Sequence, residues 1–336
     1  MPLGLGLGIT KLKSLVSGLR VRFQGNATIT AALDGILREL SADFVSNGTV
    51  TAALEAIKLL DVDFSGDGTL TADLASFEGV LDLVPANASR AYGLWLLSST
   101  YSGPLVRIRK NTGGQPEKDF YPDSNFELSL SSDDGNGTTL GSWVGSNDAF
   151  LVTKYDQSGN GEDATQSSAS LQDKIVNSGA LITLNSKVAA QDTVAGSYDF
   201  TSLSCTGADG YYIVGVYQND NNQKIVSQSS NNHIWAYSSN AVEYRENGLT
   251  FYPSGVTTNN GSQTIFRFAR NQTDSVHVKF NSNETSTSNA DSGKTLNLDT
   301  AFICSGYFQL LIIWDDNVYS YDSDIITKIN DYYSVI

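Results

Sequence analysis

From residue 105 onward the chain reads as short apolar runs that recur every ten or so residues, separated by clusters of Gly, Asn, Asp and Ser. The runs are LVRIRK (105–110), NFELSL (125–130), AFLVTKY (149–155), ALITLN (180–185), YYIVGVYQ (211–218), KIVSQS (224–229), HIWAYSS (233–239), TIFRFAR (264–270), SVHVKF (275–280) and YFQLLIIW (307–314). Several alternate: Val276, Val278 and Phe280 interleave with His277 and Lys279, the mark of a sheet with one wet face. Many short strands with turn signals between them predict a β-sandwich or barrel. The end of the chain changes period. In SDIITKINDYYSVI, Ile325, Ile326, Ile329, Tyr332 and Tyr333 share one helical stripe, which predicts a closing helix packed on the sandwich.

Composition agrees with a mainly β reading. Only 17% of the 336 residues are charged, and Asn, Ser, Thr, Gly and Tyr are plentiful, a bias towards strands and turns. The net charge of −15 argues against nucleic acid as a partner, because that affinity comes largely from Lys and Arg on phosphates. The charge is uneven. Residues 1–40 hold Lys11, Lys13, Arg20, Arg22 and Arg38 against Asp34 and Glu39, so this arm is +3 and the remainder −18. No run of about 18 apolar residues is present to span a bilayer, and the opening MPLGLGLGIT lacks the basic start and cleavage site of a signal peptide. These features predict a soluble protein with no membrane insertion. Cys205 and Cys304 are too few for a disulfide scaffold and sit at no metal-ligand spacing, so they read as small buried apolar residues. No cofactor or metal site is predicted.

The N-terminal part repeats. VRFQGNATITAAL (21–33), ADFVSNGTVTAAL (42–54) and VDFSGDGTLTADL (62–74) share a Phe, a Gly/Asn-rich turn, a Thr-aliphatic-Thr stretch, Ala and a final Leu, with a period of 20 to 21 residues. Apolar residues then follow a helical spacing: Leu33, Ile36, Leu37 and Leu40; Leu54, Ile57 and Leu60; Leu74, Phe77 and Leu81. The expectation is a short strand, a turn and a short helix per unit, with Thr30, Thr51 and Thr71 as caps. One unit cannot bury its own apolar face, so the three must stack on each other or on neighbouring chains. DVDFSGDGTLTA resembles a calcium loop, but Ala72 stands where the bidentate Glu belongs, so it reads as a structural turn. VPANASR (84–90) breaks the pattern and divides the chain into a repeat region, residues 1–87, and a second domain, residues 88–336.

Within the second domain, SRAYGLWLLSSTYSGPLVRIRK (89–110), FLVTKYDQSGNGEDATQ (150–166) and ALITLNSKVAA (180–190) together resemble the catalytic module of the fungal α-L-arabinofuranosidase B family, a concanavalin-like jelly roll. The YDQSGNG run and the ending LLIIWDDNVYSYDSDIITKINDYYSVI also resemble a module of tailed-phage virion proteins that follows variable N-terminal segments. The resemblance implies a jelly-roll β-sandwich with a C-terminal helix over about residues 88–336.

A retaining glycosidase needs two carboxyls about 5–5.5 Å apart, one as nucleophile and one as acid/base. The resemblance matches the nucleophile to Glu246, in YRENGL (244–249). The family's acid/base Asp lies in a Gly/Asn-rich loop; here Ser305-Gly306 leads straight into Tyr307, and Asp315 and Asp316 lie past the end of the next strand. A lone Glu246 reads as a surface acid near a turn, and His233 and His277 as strand-surface histidines. Sugar binding without chemistry needs only aromatic faces and a few polar groups. Trp235, Tyr237, Tyr244 and Tyr252 lie near Glu246 in sequence and form the candidate cluster, with core or subunit packing as the other role for these rings.

KYDQSGNGEDATQ (154–166) suits an active site, a metal loop or a turn. It reads as a turn that closes the strand begun at Ala149, in which Asp156 accepts hydrogen bonds from the turn's backbone; a ligand edge at Asp156 is the other role. The function expected is a tailed-phage virion structural protein: a tail, fibre or capsid-decorating appendage. Its residues 1–87 would contact other virion proteins in a homo-oligomer, a trimer by family resemblance, and its jelly roll would face a host-surface glycan. It would assemble in the host cytoplasm. A glycoside hydrolase on arabinose-containing polysaccharide and a non-viral carbohydrate-binding protein are the alternatives.

Overall fold

The computed structural model describes the strands between residues 7 and 74, and then residues 77–336 except 193, 195, 220–222, 230–231, 237–241, 248, 253–260, 272–274, 288–293 and 304–305. The chain divides into two compact units, Met1–Glu78 and Gly79–Ile336.

In the first unit each repeat contributes a strand to each of two parallel sheets. Ala27–Leu33, Gly48–Leu54 and Thr69–Leu74 align in one sheet with Leu7–Ile9; Leu19–Phe23, Leu37–Phe44 and Ile57–Phe64 align in the other. The register superposes equivalent positions, Phe23 on Phe44 on Phe64 and Thr30 on Thr51 on Thr71. The short helices expected after the first and second repeats are therefore strands. Leu40, Ala42 and Phe44 alternate with Ser41 and Asp43, and Leu60, Val62 and Phe64 with Asp61 and Asp63, a period of two that overrides a helical run too short to hold alone. The calcium-like stretch falls partly on residues outside those described.

The second unit is a single large curled antiparallel sheet that closes on itself, a jelly-roll sandwich. Its spine is Tyr211–Asn219, paired on one side with Gln263–Arg270 and on the other with Gly306–Trp314. Gly306–Trp314 in turn pairs with Arg90–Gly93 and Ala190–Asp192. The opposite part runs from Tyr198–Thr206 through Thr295–Ile303, Gln223–Ser229, Asn232–Ala236 and Val242–Glu246 to Leu249–Phe251. Ile108, Leu151, Ile213, Phe268, Leu298 and Leu311 sit together in one fully buried core.

Leu310–Trp314 is buried on both faces, which is why it reads as an unbroken apolar run. The outer face is covered by the helix Asp322–Tyr333, whose Ile325, Ile326, Ile329 and Tyr333 are buried as the stripe predicts. Tyr212 and Tyr333 hydroxyls donate to Asp322 Oδ1 (2.6 Å) and the Gln309 carbonyl (3.1 Å), fixing the helix to the spine and to its neighbour Gly306–Trp314. Tyr332, half-buried, stacks on Trp95 with ring centroids 4.4 Å apart. Among the described residues no helix is long and apolar enough to cross a membrane.

Two predicted strands differ. NFELSL is a turn with one isolated bridge, Trp95 to Glu127, because Phe126 takes φ 63° and Asp123 draws the N–H groups of Asn125 and Glu127 onto its own carboxylate. ALITLN breaks into Ala180–Leu181 and Thr183–Leu184.

Candidate functional site

The hairpin that carries Glu246 is built from Asn232–Ala236, Val242–Glu246 and Leu249–Phe251. Register pairs Ile234 with Tyr244, Tyr244 with Phe251, His233 with Arg245 and Trp235 with Glu243. Side chains alternate across a strand, so Tyr244 and Glu246 share one face, and Glu243 and Arg245 the other. The sequence cluster around Glu246 is thus divided between two environments.

The inward face is closed. Glu246 and Arg270 are both 0% exposed and form an ion pair. Glu246 is a core acid and not the surface residue expected from its place before a turn. Arg270 stands in register with Tyr211, whose hydroxyl is hydrogen-bonded to that of Tyr244, also fully buried. The Tyr244 ring lies 4.5 Å from Phe268. Burial opposes the charge of Arg270, but Glu246 and the two phenols outweigh it and its pKa rises. Burial pushes the Tyr211 and Tyr244 phenols and the free Cys205 thiol up, so all three stay protonated at neutral pH. Gly207 completes the packing: a Cβ there would lie 2.4 Å from the Arg270 guanidinium carbon. Cys205 is buried as read; Cys304 lies outside the described residues.

The outward face carries a second polar group. His233 Nε2 faces Glu243 Oε1 at 3.3 Å with both side chains 2% exposed or less, and Glu243 is also paired with Arg245. His233 is therefore buried against a carboxylate, which corrects its reading as a strand-surface histidine. Arg245 interacts electrostatically with Tyr252, which is 64% exposed. Tyr252 is the one predicted aromatic whose ring the described structure offers to solvent. Tyr237 lies outside the described residues, and Trp235 is placed by its strand register alone. His277 sits half-exposed on its strand, 4.5 Å from the Tyr319 ring. Glu243 and Arg245 flank Tyr244 in the same strand; Arg270 and Tyr211 join the site only in three dimensions. The one sequence signal for them is Arg270 in TIFRFAR, on the parity of Phe266 and Phe268, where a buried arginine demands an acid.

The YDQSGNG turn is a clamp. Asp156 is 3% exposed; its Oδ1 accepts from the N–H groups of Ala91 (2.9 Å) and Ser158 (3.0 Å), and its Oδ2 from the Ser158 hydroxyl (2.7 Å) and the Glu162 N–H (3.2 Å). Gln157 accepts from Leu97 N–H and donates to the carbonyls of Gly93 and Trp95, while Asn160 donates to those of Ala88 and Ser89. Gly159 and Gly161 take φ 90° and 73°, a region in which glycine carries no Cβ penalty. Every polar side chain from 156 to 160 thus serves the backbone of the turn or of residues 88–97. Asp315, paired with the Ser89 hydroxyl, closes the same corner. Among the described residues no three His, Cys, Asp or Glu side chains converge as metal ligands.

Compared with solved structures, the chain is similar to a GH54 α-L-arabinofuranosidase soaked with a cyclic sulfate inhibitor: TM-score 0.56, 15% identity, 76% of this chain and 65% of that one. The likeness is one of fold. A glutamate-to-glutamine mutant of GH54 α-L-arabinofuranosidase soaked with 4-nitrophenyl α-L-arabinofuranoside gives TM-score 0.55 at 14% identity over the same shares. An arabinofuranosidase complexed with arabinofuranosyl-α-1,2-xylobiose gives 0.52, also at 14% identity and over the same shares. The chain thus spans slightly less than two thirds of the length of these enzymes. No protein-family model matches the sequence, and no curated protein does.

Proposed function

We propose that the chain is a tailed-phage virion structural protein whose sandwich binds a host-surface glycan without cleaving it. The observation that carries the reading is the state of Glu246. The position that the resemblance matches to a glycosidase nucleophile is fully buried and ion-paired with Arg270, so no sugar carbon can approach it. Tyr252, by contrast, presents an exposed ring within the electrostatic reach of Arg245, a combination of aromatic face and polar group suited to stacking on a sugar. The phage setting rests on the sequence, where YDQSGNG and the C-terminal ending follow a repeat region, as in virion proteins with variable N-terminal segments. In this reading the repeats contact other virion proteins, the assembly is a homotrimer, and the protein is found in the particle.

The test measures binding of the full chain to immobilised bacterial surface polysaccharides and release of 4-nitrophenol from 4-nitrophenyl α-L-arabinofuranoside. Binding weakened several-fold by Tyr252→Ala, with no release above background, is expected. Release that disappears in a folded Glu246→Gln variant would replace this reading with that of a glycosidase on arabinose-containing polysaccharide. Mass spectrometry of purified particles checks the virion assignment, and absence of the chain there would favour a non-viral carbohydrate-binding protein.

A further inference from the structure

A pocket of about 330 Å³ opens beside the YDQSGNG turn, and none of its lining residues belongs to the Tyr252 surface. Its walls are hydroxyls, amides and small residues, among them Asn87, Ser98, Thr100, Tyr101 and Ser102, with Leu81 as the apolar patch. No Lys, Arg or His lines it. Asp82 is its sole carboxylate, and that group is spent on the protein: Oδ1 accepts from the Ser98 hydroxyl (2.9 Å), Oδ2 from the N–H groups of Gly79 (2.7 Å) and Ser99 (2.8 Å). The Tyr101 hydroxyl donates to the Pro104 carbonyl (2.6 Å); burial, then the nearby carboxylates of Asp163 and Asp156, push its pKa up, so it stays neutral in a negative field. Two side chains hold their capacity in reserve. The Asn87 amide and the Ser102 hydroxyl, both exposed, make no hydrogen bond among the described residues.

This lining discriminates by charge. An anion meets a negative field with no cation to receive it. A hard cation needs several free oxygen ligands, and Asp82, like Asp156, Asp163 and Asp315 around this corner, already serves backbone or hydroxyl donors. A largely apolar ligand would strand the hydroxyls and the amide. What fits is a small neutral ligand that offers donors and acceptors all round and one C–H face. We propose that this pocket binds a single neutral sugar ring, pentose or hexose, held by Asn87 and Ser102 with Leu81 and the Tyr101 ring beneath it. The site shares its ligand class with the function proposed above, and no residue.

The test titrates L-arabinose, D-galactose and D-glucose into the full chain, with inorganic phosphate and calcium chloride as counter-probes, followed by calorimetry or amide chemical shifts. At least one sugar should bind. Asn87→Ala and Ser102→Ala should each weaken it about fivefold, the scale of one lost hydrogen bond. Ser102→Trp, which fills the pocket from an exposed position, should abolish it, and Tyr252→Ala should leave it unchanged. Failure of all three sugars to bind, or preference for phosphate or calcium, overturns the assignment. So does sugar binding lost with Tyr252→Ala and kept in the Asn87 and Ser102 variants, an outcome that leaves the function proposed above standing.

Discussion

Glu246 and Arg270 form an ion pair in which neither side chain reaches solvent. Removing one partner leaves a buried charge uncompensated, so Glu246→Leu or Arg270→Met should each cost about 3–5 kcal/mol in chemical denaturation. The double change to Leu and Met should cost less than the two single changes together. Simple additivity in that cycle would mean the pair is not coupled.

Gly207 lies where a Cβ would press on the Arg270 guanidinium, which is buried and pinned by Glu246. Gly207→Ala should therefore destabilise the sandwich by about 1–3 kcal/mol, the scale of core overpacking. The penalty should shrink in an Arg270→Met background, and an equal penalty there would place its origin elsewhere.

Asp192 gives the fold a pH dependence. Lys174 pairs with Gln191, so Asp173 and Asp192 stand across from one another at the ends of their strands, and Asp173 is already bonded to Lys154 at 2.8 Å. Asp192 is 7% exposed and its Oδ2 has no partner. Burial first, then Asp173, raise its pKa to about 6, against the opposing pull of the Val194 N–H and Lys154. The folded pKa lies above the unfolded one, so the stability this group contributes is full below about pH 4 and is lost as pH rises through about 6, up to about 3 kcal/mol. Urea midpoints measured between pH 4 and 8 should fall across that window, and Asp192→Asn should flatten this component. A profile identical in the variant would exclude Asp192 as its source.

The clamp at residues 156–160 is graded. Asp156→Ala strands the buried Ala91 N–H and empties the turn of its acceptor, which should cost about 3 kcal/mol. Asn160→Ala removes an exposed amide from the Ala88 and Ser89 carbonyls, the second of which keeps a bond from Arg90, and should cost about 1 kcal/mol. Thermal unfolding of the two variants side by side checks the order, and a reversed order would contradict the hydrogen-bond pattern.

Most of the sandwich is legible from alternation alone, as in Val276–Phe280, and the closing helix from its isoleucine stripe. Tyr198–Thr206 and Thr295–Ile303 escape a pattern search although both are long. In the first, Phe200 and Leu203 both point inward across a register shift, which scrambles the parity such a search depends on. The repeats are plain in the sequence but their second halves mislead, because three apolar residues at helical spacing also fit a strand when identical neighbours stack in register. The candidate site is the least legible part. YRENGL looks like an exposed turn until Arg270, far along the chain, closes over it, and the partner of a buried charge leaves no local mark. The role of Asp156 is readable, since Asp before Ser-Gly-Asn-Gly has its acceptors beside the N–H groups it satisfies.

The in-register stacking of the repeats makes the first unit a ruler. Each coil of 20 to 21 residues presents its successor with the same Phe, Thr and Leu positions that it received, so the ladder has no intrinsic stopping point. Duplicating or deleting one coil changes its length in steps of about 4.8 Å, the spacing of adjacent strands, without new side-chain chemistry.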